Sequence, residues 1–430
     1  MPTPSLILVP ARFKTGKLYT PVATTSGGVV LGASGDFNVT RATTATRVNA
    51  SGYIESVASG IPRLDYYTSG GTAGCPALLV EPSGSNTLSG SVSIDTGWTI
   101  TADTTITSGI VSPSGSTNAT LFQATNTASR VRQAATLVSG TTYTFSCFGK
   151  FGSLSSGFTM NVFDENAASY GSGVCQAFNL NEGTLGASGT IGAGFTLQSV
   201  GMENYGNDWY RCRMTVLMSY TPTTPRVGFR MGTQITGGRP LSVANGTVNV
   251  WGAQLETGSV ATSYIPTTTG SVSRNADVIT LSGAVSGCIG QTEGTIYAEV
   301  DVRNFPSPSR LIGLSDGTSN NRIIIIFNTS NRIRLLATVS TASQVDINSS
   351  SQVAGIFKIA VGYALNDYAF YINGVQVGTD TIALVPACSS IFLGNAETGL
   401  AGSNINDRIR AAALYTTRLT NDQLAALTTP

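Results

Sequence analysis

The run Thr141–Phe151 (TTYTFSCFGKF) sets Tyr143, Phe145, Cys147 and Gly149 on one side of the chain and Thr144, Ser146, Phe148 and Lys150 on the other. A period of two is the geometry of a strand in a half-buried sheet, and no helix presents it. The alternation returns in Phe158–Phe163, Asp208–Val216, Val248–Gln254 and Gly294–Val302, with Gly-rich turns between the runs. Strands punctuated in this way predict an all-β chain built from sandwiches of jelly-roll type. Composition agrees. Ser and Thr together number 104 of the 430 residues, and Gly numbers 49. Thr fits the pleat and Gly makes the turns. Charged residues are only 11%, against about 25% in an average soluble domain, so hydroxyls and amides keep the surface wet.

The charge balance excludes several functions. A net charge of +1 implies no commitment to nucleic acid or to an anionic membrane. The absence of His removes Ser-His-Asp, Cys-His and His-ligated metal schemes. The six cysteines (Cys75, Cys147, Cys175, Cys212, Cys288 and Cys388) lack C-x-x-C spacing and read as small buried hydrophobes. Their pairing cannot be read from these spacings. No run approaches the roughly 18 apolar residues of a membrane span. Ser5–Val9 has no charged leader before it, so folding in a cytoplasm is expected. Arg outnumbers Lys by 20 to 4, which suits buried bidentate pairing, although genomic base composition explains it equally well.

Three units follow along the chain. Residues 1–90 are irregular, with runs of four to six residues broken by Gly-Gly, Ser-Gly and Pro. They contain Thr40-Arg41-Ala42-Thr43, a turn at Asn49–Gly52, then Gly60-Ile61-Pro62-Arg63-Leu64-Asp65-Tyr66, and Leu78–Glu81 with Asn86. Residues 91–270 hold all three tryptophans, Trp98, Trp209 and Trp251, and close on Trp251–Glu256 and Ala261–Thr267. Residues 271–430 contain a hairpin from Asn321–Asn328 to Asn331–Val339. They also contain a pair of strands, Lys358–Tyr363 and Tyr368–Ile372, and a type I′ turn at Asn373-Gly374. A short final helix is N-capped by Thr420.

The order and spacing of these motifs resemble those of bacteriophage tail fibres and virion-surface receptor-binding proteins. The first set resembles a virion-attachment module, although Ser85 stands where an Arg is usual before the Asn. The second, with Tyr143–Lys150, Phe178–Thr184 and Gly206–Cys212, resembles a carbohydrate-binding-module-like sandwich. The third resembles a concanavalin A-like or laminin-G-like sandwich. The resemblance implies a homotrimer in the virion tail, made in the host bacterial cytoplasm. Its N-terminal module would join other tail proteins, and it would bind host surface polysaccharide without catalysis or membrane insertion. Weak sites would gain by multivalency. A head fibre or tail decoration protein without a specific receptor is the alternative reading, and a polysaccharide depolymerase the second. The long repeated β-helix of the usual depolymerase tip is missing from the sequence.

Candidate residues are few. Glycan contacts are expected around the turn at Asn366 and Asp367, with Tyr368 and Tyr371 beside it, since amides, carboxylates and aromatic faces recognise sugars. Asp316 and Asn320, in Ser315–Asn321, form a loop with the oxygen ligands of a Ca²⁺ site, a polar β-turn being the plainer reading. No other cofactor is expected. Arg274 and Asp277 are expected as a structural pair fixing the linker. The carboxylate pairs Asp164/Glu165, Glu203/Asp208 and Glu293/Glu299 could in principle support glycosidase chemistry. Hydrolases of the concanavalin-like class use a Glu-x-Asp-x-x-Glu strand, which this sequence lacks.

Overall fold

The structure, a computed structural model, describes residues 2–19, 22–23, 29–30, 36–153, 157–166, 169–282, 287–303, 309–396 and 403–430. Among the described residues it is all-β apart from one short helix, Asn421–Thr428. Two sandwiches carry the chain. The central one stacks a six-stranded sheet containing Gly157–Asn166, Ser169–Asn179 and Pro225–Arg230 on another containing Thr142–Ser153, Trp209–Met218 and Thr247–Thr257. The alternation in Thr142–Ser153 works as its sequence implies. Tyr143, Phe145 and Cys147 enter the core between the sheets. Phe148 packs on the opposite side, with Trp209, Trp251 and Tyr264. Burying such rings contributes about 1.5–3 kcal/mol each.

The second sandwich stacks a ten-stranded sheet on a nine-stranded one. In the first, Gly355–Ala364, Glu293–Val302 and Asp407–Tyr415 lie side by side; in the second, Ser390–Leu393, Ser309–Ser315 and Arg322–Phe327 do. Leu314, Ile325, Val361 and Phe370 are among the apolar side chains that fill the space between. The turn at Asn373 and Gly374 has φ of 48° and 81°, the paired positive values that a type I′ hairpin demands and that Asn and Gly tolerate. Thr420 caps the helix, with a reciprocal Gln423 contact completing a capping box.

The first ninety residues do not form the separate module expected of them. Their strands are two to four residues long, too short to enclose a core, and they complete the sheets of other units. Leu6–Leu8 and Ala77–Val80 lie end to end along one side of Asp407–Tyr415. Without them that strand would present an unpaired backbone edge. Phe37–Thr40 pairs with Val278–Ser282 in the nine-stranded sheet. The hairpin Ala45–Val48 with Ile54–Val57 lies instead against the central sandwich, where Val48 and Ile54 cover Trp209 and Trp251. The N-terminal segment therefore ties the two sandwiches together. No helix among the described residues is long and apolar enough to cross a membrane.

Candidate functional site

The residues that stood out in the N-terminal motifs converge where these units meet. Arg41 ends Phe37–Thr40, Arg63 precedes the strand Leu64–Asp65, and Glu81 follows Ala77–Val80. Arg274 and Asp277 arrive from the linker after residue 270. Arg41 contacts Asp277 at 2.9 Å, and Arg63 contacts Glu81 at 2.6 Å while its other guanidinium nitrogen pairs with Asp277. Arg274 lies 3.3 Å from Glu81 and only 3.9 Å from Asp277. The expected pair is thus part of a five-residue network, and Asp277 is held more closely by Arg41 and Arg63 than by Arg274. All five side chains are at most 4% exposed. Ser263 reaches Glu81 with its backbone N–H at 2.7 Å and its hydroxyl at 2.6 Å. Burial alone would push the Glu81 carboxyl up, but Arg63, Arg274 and the Ser263 hydroxyl hold it well below the usual carboxylate range. Asn86 completes this joint. It donates to the carbonyls of Ala253 and Ile265, both at 3.0 Å.

Beside the joint, a cleft of about 770 Å³ opens between the two sandwiches. One wall is the end of Phe195–Asn204, with Glu203 and Asn204. The other is built from Glu293–Val302 and Asp407–Tyr415, which supply Asp301, Arg408 and Arg410. Arg303 lies 3.6 Å over the Tyr67 ring and 3.5 Å from Glu203. Arg408 binds Asp65 at 2.7 Å, and Arg410 binds Glu299 at 2.8 Å. Burial would raise the Glu203 carboxyl, but Arg303 and Arg211 lower it overall. At the inner end, a polar chamber of about 40 Å³ shares Glu203, Arg303 and Arg408 with the cleft and reaches Glu81. The chemistry offered is guanidinium, carboxylate, amide and hydroxyl, aimed into a concave space. The ring of Tyr67 is already covered by Arg303, so that face is closed to stacking.

The residues expected to meet glycan lie elsewhere. Tyr368 is fully buried and donates its hydroxyl to the Leu384 carbonyl at 2.9 Å. Tyr371 is 5% exposed, lies under the C-terminal helix against Leu424, and donates to Gln376 at 2.8 Å. Both rings are packing residues. Asn366 and Asp367 are exposed in the turn, where Asn366 has φ of 57° and Asp367 pairs with Arg418 at 2.8 Å. The Ca²⁺ candidate is engaged with itself. Both Asp316 oxygens accept from their own loop, one from the Thr318 backbone N–H and hydroxyl at 2.8 and 2.6 Å, the other from Asn321 at 2.8 Å. Asn320 donates its N–H to the Thr318 hydroxyl at 3.0 Å. Among the described residues, no group of three or more His, Cys, Asp or Glu could hold a metal.

The carboxylate pairs weighed for hydrolysis have structural partners. Asp164 accepts from Tyr220 and from the backbone of Thr223 and Thr224. Glu165 lies among arginines, Asp208 is 3.4 Å from Lys150, and Glu293 accepts from the Arg418 backbone at 3.4 Å. Five cysteines are buried as expected, whereas Cys75 is exposed at the cleft.

Sequence reasoning missed Arg41 and Arg63 as partners of Asp277, Glu81 as a partner of Arg63 and Arg274, and the cleft. One signal was present. Glu81 ends the wholly apolar run Ala77–Val80, and a carboxylate placed there is buried unless the strand stops at the surface.

No family model matches the sequence, and no curated protein matches it. Among solved structures, the CBM40 of the Ruminococcus gnavus IT-sialidase aligns with 33% of this chain and 85% of its own length, at 15% identity and a TM-score of 0.30. The NanB sialidase of Streptococcus pneumoniae aligns with 34% of this chain and 26% of its own, at 14% identity and a TM-score of 0.30. A heptameric SAP-like pentraxin of Limulus polyphemus aligns with 31% of this chain and 68% of its own, at 13% identity and a TM-score of 0.25.

Proposed function

We propose that this chain is a non-enzymatic glycan-binding protein whose saccharide site is the cleft between its two sandwiches. The observation that carries the reading is the cleft itself. Its volume of about 770 Å³ lies in the range of roughly 300–1,000 Å³ typical of ligand pockets. Asn204, Asp301 and Arg410 line it with groups that pair with sugar hydroxyls. The joint beneath holds its walls in fixed relation, so little ordering accompanies binding. The motif order read in the sequence extends this to a bacteriophage virion, as a tail fibre that adsorbs to host surface polysaccharide as a homotrimer.

A glycan array probed with the full chain tests the binding, with Asp301→Asn and Arg410→Gln as partners. The expected result is selective retention of one glycan class by the native chain, weakened at least about tenfold in either variant, as for loss of a charge-assisted hydrogen bond. Equal retention by all three proteins would remove the cleft as the site. Light scattering of the intact chain, expected to give three copies, tests the fibre assembly.

One observation favours a second reading. Each of the three cleft arginines already has a carboxylate partner within 4.0 Å. A decoration protein without a receptor would use such pairs only to lock its domains. It would leave the array blank and leave labelled host cells unstained.

A further inference from the structure

The outer face of the central sandwich carries a second charged constellation, apart from the cleft. Alternation in three neighbouring strands sends Val131, Val227, Phe229, Met160 and Val162 into the core. The intervening residues therefore face outward. They include Arg132, Arg226 and Arg230 on two strands and Asn161, Phe163 and Glu165 on the third. Register places Arg132, Gly228 and Asn161 in one row across the three strands. Gly228 has no side chain, and its Cβ position would lie 2.4 Å from the Val131 carbonyl oxygen. No larger residue fits there, and a shallow depression on this face is bordered by Arg130, Arg132, Arg230, Asn161 and Phe163.

Three guanidiniums share one carboxylate here. Arg226 donates to Glu165 at 2.9 Å, Arg132 lies 3.0 Å from the other carboxylate oxygen, and Arg130 lies 3.5 Å from it. These four side chains carry three positive charges and one negative. Arg230 has a different task, donating to the carbonyls of Thr127, Ala128 and Ser129. Arg132 keeps hydrogen-bonding capacity that Glu165 does not use. Nη1 of Arg132, a donor, makes no hydrogen bond. The depression does not enclose space for a water, so a ligand would rest on its arginine rim. Arg132 and Arg226 retain 14% and 25% side-chain exposure, enough to be approached from solvent.

The geometry points to a binding site for a compact oxyanion, a carboxylate or sulfate group, on the rim formed by Arg132 and Arg226. Glu165 acts as the internal anion that gathers the guanidiniums until a ligand arrives. A planar guanidinium fork matches such oxyanions in two-point contact. The group can reach the site as a free ion or as the substituent of an acidic polysaccharide. This site does not depend on the cleft, and its variants leave the cleft untouched.

Isothermal titration of the full chain with sodium sulfate, against sodium chloride at matched ionic strength, tests the site. A saturable isotherm with one site per chain is expected, weakened at least about tenfold in Arg132→Gln and in Arg226→Gln. Glu165→Gln, which removes the competing carboxylate, is expected to tighten sulfate severalfold. A purely structural cluster would lose stability in that variant without gaining affinity. Circular dichroism establishes that each variant is folded. Absence of saturation, or equal affinity in the folded arginine variants, would overturn the site. Retention of the chain on immobilised polygalacturonate, lost in Arg132→Gln, would identify a polysaccharide substituent as the source. Sulfate binding without that retention would support a site for free ions.

Discussion

The joint and the arginine-bearing sheet face use the same side chains to opposite effect. In the joint, Arg41, Arg63 and Arg274 meet Glu81 and Asp277 with at most 4% of any side chain exposed. On the sheet face, Arg130, Arg132 and Arg226 meet one carboxylate, and the arginines are 14–25% exposed. Burial makes the difference. A charge far from water is costly to leave unmatched, so the joint brings a second carboxylate and recruits backbone carbonyls and Ser263 besides. At the partly wet face a larger excess of positive charge is tolerable, because water screens it. The first arrangement fixes geometry, and the second leaves capacity for a ligand.

The largest effect is expected at Arg63. Arg63→Ala takes from Glu81 and Asp277 the one guanidinium that bridges them, leaving Glu81 to Arg274 and Ser263 and Asp277 to Arg41. Removing one partner of a buried pair costs about 3–5 kcal/mol. Urea unfolding should show a loss of that size, and a loss below about 1 kcal/mol would mean that water enters the joint freely. Glu81→Gln probes the same place through pH. The folded-state carboxyl is held below its ordinary value of 4.5, so its contribution is fully present above that pH and is lost as pH falls toward the folded value. The native chain and Glu81→Gln should therefore differ most in urea midpoint near pH 7, and the gap should narrow steadily below about pH 4.5. A gap independent of pH would show that Glu81 is not ionised in the fold.

At the cleft a smaller effect is expected. Arg303→Ala removes a guanidinium from the Tyr67 ring and from Glu203. A partly desolvated cation–π contact is worth about 0.5–2 kcal/mol. Thermal unfolding should register a loss within that range. No change would place Arg303 with surface residues, leaving the cleft wall held by the strands alone.

The fold class was legible because alternation is a local signal. Tyr143, Phe145 and Cys147 against Phe148 revealed both packed faces of one strand, and Asn373-Gly374 specified its own turn. The weaving of residues 1–90 into the other units was not legible. Leu6–Leu8 is three residues long, and its partner Asp407–Tyr415 lies about four hundred residues away, so no local pattern reports the pairing. The same limit hid the joint. Arg41, Arg63 and Glu81 each stood out in a motif, but their convergence on Asp277 depends on the sheets. The tyrosines misled for a related reason. Alternation assigns Tyr371 to the face away from Phe370, but only the fold shows that the helix Asn421–Thr428 covers that face.

The smallest stability effect is expected at Arg132. Its partner Glu165 keeps Arg226 at 2.9 Å and Arg130 at 3.5 Å, so Arg132→Gln leaves no carboxylate stranded. The change also relieves a repulsion. Burial, followed by the neighbouring Arg130, lowers the Arg132 pKa from its ordinary value even though Glu165 raises it. Partly exposed pairs contribute about 0–1 kcal/mol, and here the repulsion offsets part of that. Urea unfolding of Arg132→Gln should fall within about 1 kcal/mol of the native chain, well short of the loss at Arg63. A loss approaching that of Arg63→Ala would make the sheet face a second joint, closed like the first, and would leave no spare guanidinium for an anion.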